Sequence, residues 1–313
     1  MKRAAFRHFL TMTDLTVEEL RGLLKHAARC KRHRSLGQRA LAGQTVALVF
    51  QKPSMRTRVA SEVAVNELGG AATYLGQDDI QLGKREPIRD VARVLSRYVR
   101  GIILRTFAHR DVEEFAQYAS RPVINGLSDL VHPCQALADL LTIEEACGRL
   151  KGVRLAYVGD GNNVLHSLMQ GAAMLGMHAA IATPKAYRPN AALWAAAARQ
   201  AKLHGGSLTW EEDPRRAVRG ADILYTDVWV SMGQETEREP RLRAFKPYQV
   251  NAALLSEAAR GCRVLHCLPA HRGEEITDEV MESQQSLVFD QAENRLHVHK
   301  ALLLWLLGGE RLP

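Results

Sequence analysis

Short apolar runs alternate with longer stretches of helical periodicity along nearly the whole chain, and this alternation is the strongest limit on its fold. In the first half, Thr45 to Phe50, Ala71 to Leu75, Gly101 to Thr106 and Pro122 to Asn125 are expected to be strands. In the second half the expected strands are Arg154 to Val158, His178 to Ala182, Ser207 to Trp210, Ile223 to Asp227, Val264 to Cys267 and Leu287 to Phe289. Between them, Arg89 to Tyr98, Asp111 to Ala119, Asn163 to Leu175 and Asn190 to His204 carry helical spacing, and Pro133 to Cys147 forms a long helical bridge. Strands separated by helices build parallel sheets covered on their faces by those helices. A chain of 313 residues holds about two such domains. The expected fold class is therefore α/β, with two doubly wound parallel-sheet domains linked by helices. The first helix announces itself by a capping box, Thr16 with Glu19, ahead of Leu20, Leu23, Leu24, Ala27 and Ala28 at helical spacing.

Charge and cysteine usage narrow the function classes. The net charge of +8 favours anionic ligands. The basic residues are spread out, and the one cluster, Arg29, Lys31, Arg32, His33 and Arg34, reads as a solvated helix end, so no nucleic-acid partner is expected. Five cysteines, Cys30, Cys134, Cys147, Cys262 and Cys267, make no CxxC pair, and their odd number suits a reducing compartment. The first residues have no signal-peptide core, and the longest apolar run, Ala301 to Leu307, is too short to span a bilayer. The expectation is a cytoplasmic protein with no membrane partner.

In parallel α/β sheets, ligands bind beyond the carboxyl ends of the strands. Ser54-Met55-Arg56-Thr57-Arg58 follows the first strand and opens a helix. Free backbone N–H groups, hydroxyls and guanidinium forks there suit a phosphate, and equally a capped, solvated helix start. It is not a Walker loop, since no Gly-x-x-x-x-Gly-Lys is present. His132-Pro133-Cys134-Gln135 opens the bridging helix; His132 and Gln135 share a face, either to donate to a carbonyl or merely to cap. Gly159-Asp160-Gly161-Asn162-Asn163 resists a dinucleotide reading because Val164 stands where a third Gly is needed. Its asparagines suit a carboxylate instead. Asp227, ahead of Trp229, Ser231, Met232 and Gly233, either pairs with an ammonium or is solvated. Cys267, between His266 and Leu268, is either a small buried apolar residue or, with His266 and His271, a metal ligand whose spacing fits no standard zinc pattern.

Together these segments resemble the aspartate/ornithine carbamoyltransferase family, in order and over nearly the whole chain. Ser54 to Arg58 is similar to its Ser-Thr-Arg-Thr-Arg motif, with Met55 replacing a Thr; the hydroxyl is lost and the backbone N–H kept. His132 to Gln135 resembles its His-Pro-x-Gln. Gly159 to Asn163, Asp227 to Gly233 and His266 to Pro269 resemble the ornithine branch's Gly-Asp-Gly-Asn-Asn, Asp-x-Trp-x-Ser-Met-Gly and His-Cys-Leu-Pro. The resemblance implies transfer of a carbamoyl group from carbamoyl phosphate to the side-chain amine of ornithine, in the anabolic or the reverse direction, with N-acetylornithine or putrescine as alternative acceptors. It implies that Ser54, Met55, Arg56, Thr57, Gln81, Arg105, His132, Gln135, Cys267, Leu268 and Arg295 hold carbamoyl phosphate. It implies that Asn163, Asp227, Ser231 and Met232 hold ornithine. Arg105, His132, Asp227 and Cys267 are its catalytic candidates, with no metal and no cofactor. It also implies a carbamoyl phosphate-binding domain over 1–132, an ornithine-binding domain over 133–313, and a terminal helix, about 295–313, that returns to the first. Gln81, serving a neighbouring subunit, implies a homotrimer.

Overall fold

A computed structural model describes residues 6–310 and 312. The leader reading at the first residues, and the last residues of the expected terminal helix, fall partly outside the described residues. The chain divides into two compact units: residues up to Ala138 together with those from Glu293 onward, and Asp139–Ala292.

The first unit runs α1 (Val17–Arg32), β1 (Thr45–Phe50), α2 (Met55–Glu67), β2 (Ala71–Leu75), α3 (Gln77–Ile80), α4 (Ile88–Tyr98), β3 (Gly101–Arg105), α5 (His109–Tyr118), β4 (Val123–Leu127) and the start of α6 (Pro133–Cys147). Its four strands are all parallel, in the order β2-β1-β3-β4. β1 and β3 are buried almost throughout because both faces are covered, whereas β2, at the edge, is half-exposed. Val49, Leu104, Phe115 and Val123 lie in its core.

The second unit contains β5 (Arg154–Val158), α7 (Asn163–Met174), β6 (His178–Ala182), α8 (Ala191–Leu203), β7 (Ser207–Glu211), α9 (Pro214–Val218), β8 (Ile223–Thr226), α10 (Arg238–Phe245), α11 (Ala252–Leu255), β9 (Arg263–His266), α12 (Asp278–Met281) and the start of α13 (Val288–Leu306). The parallel order here is β7-β6-β5-β8-β9. In both sheets the chain leaves one central strand to either side. The resulting switch points lie between β1 and β3 and between β5 and β8, where ligands enter such sheets.

Two expected boundaries are corrected. Leu287 to Phe289 is not a strand. Ser286 makes one isolated bridge to Val264, the Leu287 N–H donates to the Val264 carbonyl at 2.9 Å, and the chain then turns into α13. The terminal helix therefore starts at Val288 rather than near 295, and it belongs to the first unit from Glu293 onward. β4 also runs on to Leu127, because a register shift opposite Leu104/Arg105 absorbs Gly126 instead of ending the ladder.

Candidate active site

In the first unit, the end of β1 lies against the end of β3. Phe50 pairs with Arg105, and the Gln51 N–H donates to the Arg105 carbonyl at 2.8 Å. Ser54 then caps α2, its hydroxyl accepting from the Thr57 N–H at 3.2 Å. Met55 is the first helical residue, and its side chain is 67% exposed. The α2 start thus presents backbone N–H groups and the positive end of the helix dipole beside the half-buried Arg56. Arg105, His132, Gln135 and Arg295 are all buried. One Arg295 nitrogen donates to Gln135 Oε1 at 2.6 Å and the other to Thr57 Oγ1 at 2.9 Å, so one guanidinium ties α13, α6 and α2 into one group. Burial holds the His132 imidazole well below its usual range, and the positive charges of Arg295 and Arg105 push the same way. A neutral ring that keeps an N–H donor among cations suits the oxygen of a carbonyl. Gln81 precedes Leu82, whose carbonyl accepts from Gln51 Nε2 at 3.1 Å. It ends α3 with φ +43° and is exposed in a concavity with Gln51, Leu82, Lys84 and Phe107.

In the second unit, Asp227 follows β8 at the switch point and is buried. One carboxylate oxygen accepts from the Val228 N–H at 2.8 Å and from the Cys267 thiol at 2.9 Å; the other accepts from Asn162 Nδ2 at 2.6 Å. Asn162 is the N-cap of α7, its Oδ1 taking the Val164 and Leu165 N–H groups at 3.0 and 3.1 Å. Its amide is therefore fully oriented, with the NH₂ end directed at Asp227. Asn163, the expected ligand, begins α7 beside it and is half-buried. Ser231 and Met232 sit on the following loop. The Ser231 N–H is taken by Gln234 Oε1 at 3.0 Å, and the Met232 side chain is 50% exposed. Asp227 and Cys267 are thus brought into contact, while Ser231 is bonded within its own loop.

Local packing explains the glycines that invite a dinucleotide reading. Gly159 has φ +147°, and a side chain on Gly161 would lie within 2.5 Å of the backbone at Tyr187–Pro189. Beside them Asp160 pairs with Arg241 at 3.2 Å, both buried. Burial pushes this carboxyl up to about 7, against the pull of Arg241.

Asp227, His266 and Cys267 lie close enough to be considered as metal ligands. His266 is already engaged at both ring nitrogens, however: the Leu268 N–H donates to Nδ1 at 2.9 Å, and Nε2 faces Glu275 Oε1 at 3.1 Å. The donor set does not fit a metal without breaking one of these bonds. Sequence reasoning read Asn162 as an amide suited to a carboxylate but not its pairing with Asp227, and it missed Glu275. An N-cap preference was visible at Asn162, but nothing local to Glu275 pointed to its partner.

Comparison with known proteins identifies the family. Residues 7–145 match the family described as aspartate/ornithine carbamoyltransferase, carbamoyl-P binding domain, and residues 151–306 match its Asp/Orn binding domain. The chain is 54% identical over 306 residues to an ornithine carbamoyltransferase of Archaeoglobus fulgidus, covering 97% of this chain and 98% of the relative. It is 52% identical over 307 residues to the anabolic ornithine carbamoyltransferase of Pyrococcus furiosus, covering 97% of this chain and 98% of that one. The solved structure of ornithine carbamoyltransferase from Pyrococcus furiosus superposes with a TM-score of 0.94 at 51% identity, over 98% of this chain and 99% of that chain.

Proposed function

Since the chain belongs to the aspartate/ornithine carbamoyltransferase family, we propose that it works as an ornithine carbamoyltransferase, converting carbamoyl phosphate and L-ornithine to L-citrulline and phosphate. The phosphate is taken by Ser54, the Met55 N–H, Arg56 and Thr57 at the α2 start, a site supported by the positive end of the helix and the guanidinium there. Arg105 and His132 polarise the carbamoyl oxygen, Gln135 takes the carbamoyl NH₂ group, and Arg295 braces Thr57 and Gln135.

Ornithine is held by its α-ammonium on Asp227 and its carboxylate on Asn163, with Ser231 and Met232 completing the grip. Its side-chain ammonium, with a reference pKa near 10.4, lies beside Cys267 and the Leu268 carbonyl and passes one proton to Cys267 in its thiolate form before attack. The amine nitrogen then bonds to the carbamoyl carbon. Negative charge gathers on the carbonyl oxygen beside Arg105 and His132, each donor worth about 3 kcal/mol. The C–O bond to phosphate breaks, the departing phosphate takes the second amine proton, and the arginines offset its remaining charge.

The observation that carries this reading is the Asp227 carboxylate held at the β8 end by Asn162 and Cys267. It offers a charge for an α-ammonium beside a thiol for the reacting amine. N-acetylornithine lacks that α-ammonium, and putrescine lacks the α-carboxylate that Asn163 would hold. Turnover of carbamoyl phosphate with ornithine, N-acetylornithine and putrescine is the test: ornithine should be preferred by kcat/KM, and preference for either alternative would refute the assignment. The reading includes a homotrimer in which the exposed Gln81 serves a neighbouring subunit, which sedimentation checks. It also includes a cytoplasmic location, which the free cysteines support.

A further inference from the structure

We propose that Glu275 and His266 form a relay that positions the Cys267–Leu268 turn for the incoming amine; this rests on the carbamoyl-transfer reading. His266, the last residue of β9, is fully buried, and Glu275 is equally inaccessible. Three contacts fix the histidine. Its backbone N–H donates to Gln291 Oε1 at 2.9 Å, and Gln291 is held in turn by Asp139 Oδ1 at 2.6 Å. Its Nδ1 accepts from the Leu268 N–H at 2.9 Å. A neutral ring that accepts at Nδ1 carries its proton on Nε2, so Nε2 donates to Glu275 Oε1 at 3.1 Å.

The carboxylate selects this tautomer. With the proton on Nδ1, the ring would meet the Leu268 N–H donor to donor and turn a lone pair towards an anion. Glu275 is itself anchored: the same Oε1 accepts the His271 N–H at 2.5 Å, and its carbonyl accepts from the Val250 N–H at 2.8 Å. The turn needs such support because Leu268 has φ +59°, a region unfavourable to a residue with a Cβ. Cys267, between the two, reaches Asp227 Oδ1. The position of the thiol and of the Leu268 carbonyl therefore depends on a carboxylate that touches neither substrate.

Two substitutions separate this from a merely structural role. His266→Asn places an acceptor where Nδ1 was and abandons Glu275, whereas His266→Gln places its amide where Nε2 was and abandons the Leu268 N–H. Misplacement of reacting groups by about an ångström costs on the order of 10²-fold in rate. His266→Gln should lose kcat on that scale. His266→Asn should lose at least tenfold less, and carbamoyl phosphate affinity should stay within about twofold in both. Glu275→Gln, which keeps an acceptor oxygen, should retain far more kcat than Glu275→Leu, and ¹⁵N shifts should show His266 protonated at Nε2. If His266→Gln does not fold, the Glu275 pair decides on the same readouts. Equal losses in the two His266 variants, a loss located in carbamoyl phosphate affinity, or an Nδ1-protonated ring would overturn the relay. Wild-type protein inactive with ornithine would instead refute the functional reading, leaving the ring's protonation to judge the relay.

Discussion

Asn162 has two separable duties, and a pair of substitutions should divide them. Its Oδ1 caps α7 through two backbone N–H groups, and its Nδ2 holds the Asp227 carboxylate at 2.6 Å. Losing a cap costs about 1 kcal/mol, and losing a hydrogen bond to a charged group costs about 1.5–3 kcal/mol. Asn162→Ala loses both and should be destabilised by about 3 kcal/mol. Asn162→Ser keeps the cap, because a serine hydroxyl accepts from the same N–H groups, but it is too short to reach Asp227. It should therefore cost about 2 kcal/mol, since the carboxylate is only 4% exposed and water replaces the lost donor poorly. The functional effect should be shared. Asp227 freed on one side pairs less well with the α-ammonium, and a loss of about 1.4 kcal/mol there is a tenfold rise in KM for ornithine. Urea denaturation and steady-state kinetics on both variants provide the assay. Asn162→Ser with wild-type stability and wild-type KM for ornithine would refute the argument that this amide orients Asp227.

Arg56→Ala should weaken carbamoyl phosphate binding by about 10–100-fold, as the loss of a charge-assisted contact implies; calorimetry showing unchanged affinity would contradict the phosphate role. Met55→Thr, at a side chain 67% exposed, should fold normally and gain up to about fivefold in the same affinity from the added hydroxyl, worth about 1 kcal/mol. His299, bonded through Nδ1 to Ser61 at 2.7 Å, is pushed down to about 3 by burial, with Arg295 adding. The unfolded chain takes up a proton near pH 6.5 that the folded one refuses. This contribution to stability is therefore full above pH 6.5 and is lost as pH falls towards 3, at up to about 1.4 kcal/mol per pH unit; His299→Leu should flatten the slope between pH 6.5 and 4.5, and an unchanged slope would count against it. Burial pushes the Cys30, Cys134 and Cys262 thiols up to about 11, 12 and 12. Iodoacetamide at pH 8, followed by mass mapping, should label the half-buried Cys267 before these three, and ornithine should slow that labelling.

Much of the fold was legible because its signals are local. Thr16 accepts from the Glu19 N–H while Glu19 returns a bond to the Thr16 N–H, as their spacing predicts. Apolar runs such as Thr45–Phe50 are strands because both faces are covered. Leu287 to Phe289 misled because three apolar residues fit the first turn of a buried helix as well as a strand. The expected strand ended at Asn125, yet Gly126 sits in a bulge that the neighbouring strand accommodates. In the candidate site, the segments after the strands were readable by residue type and order. The bonds that orient them were not: Asn162 meets Asp227 across 65 residues, and Arg295 meets Thr57 across 238. Periodicity carries no record of such pairs, since each depends on how sheets and helices bring distant segments together.

The exposed side chain at Met55 bears on how such proteins are recognised from their letters. Where an amide of the main chain does the binding, mutation can rewrite the residue without touching the donor. On the proposed reading, motif spelling at the opening of α2 says little about the donor itself, and a sequence filter that insists on threonine there would reject a chain whose main-chain N–H is intact.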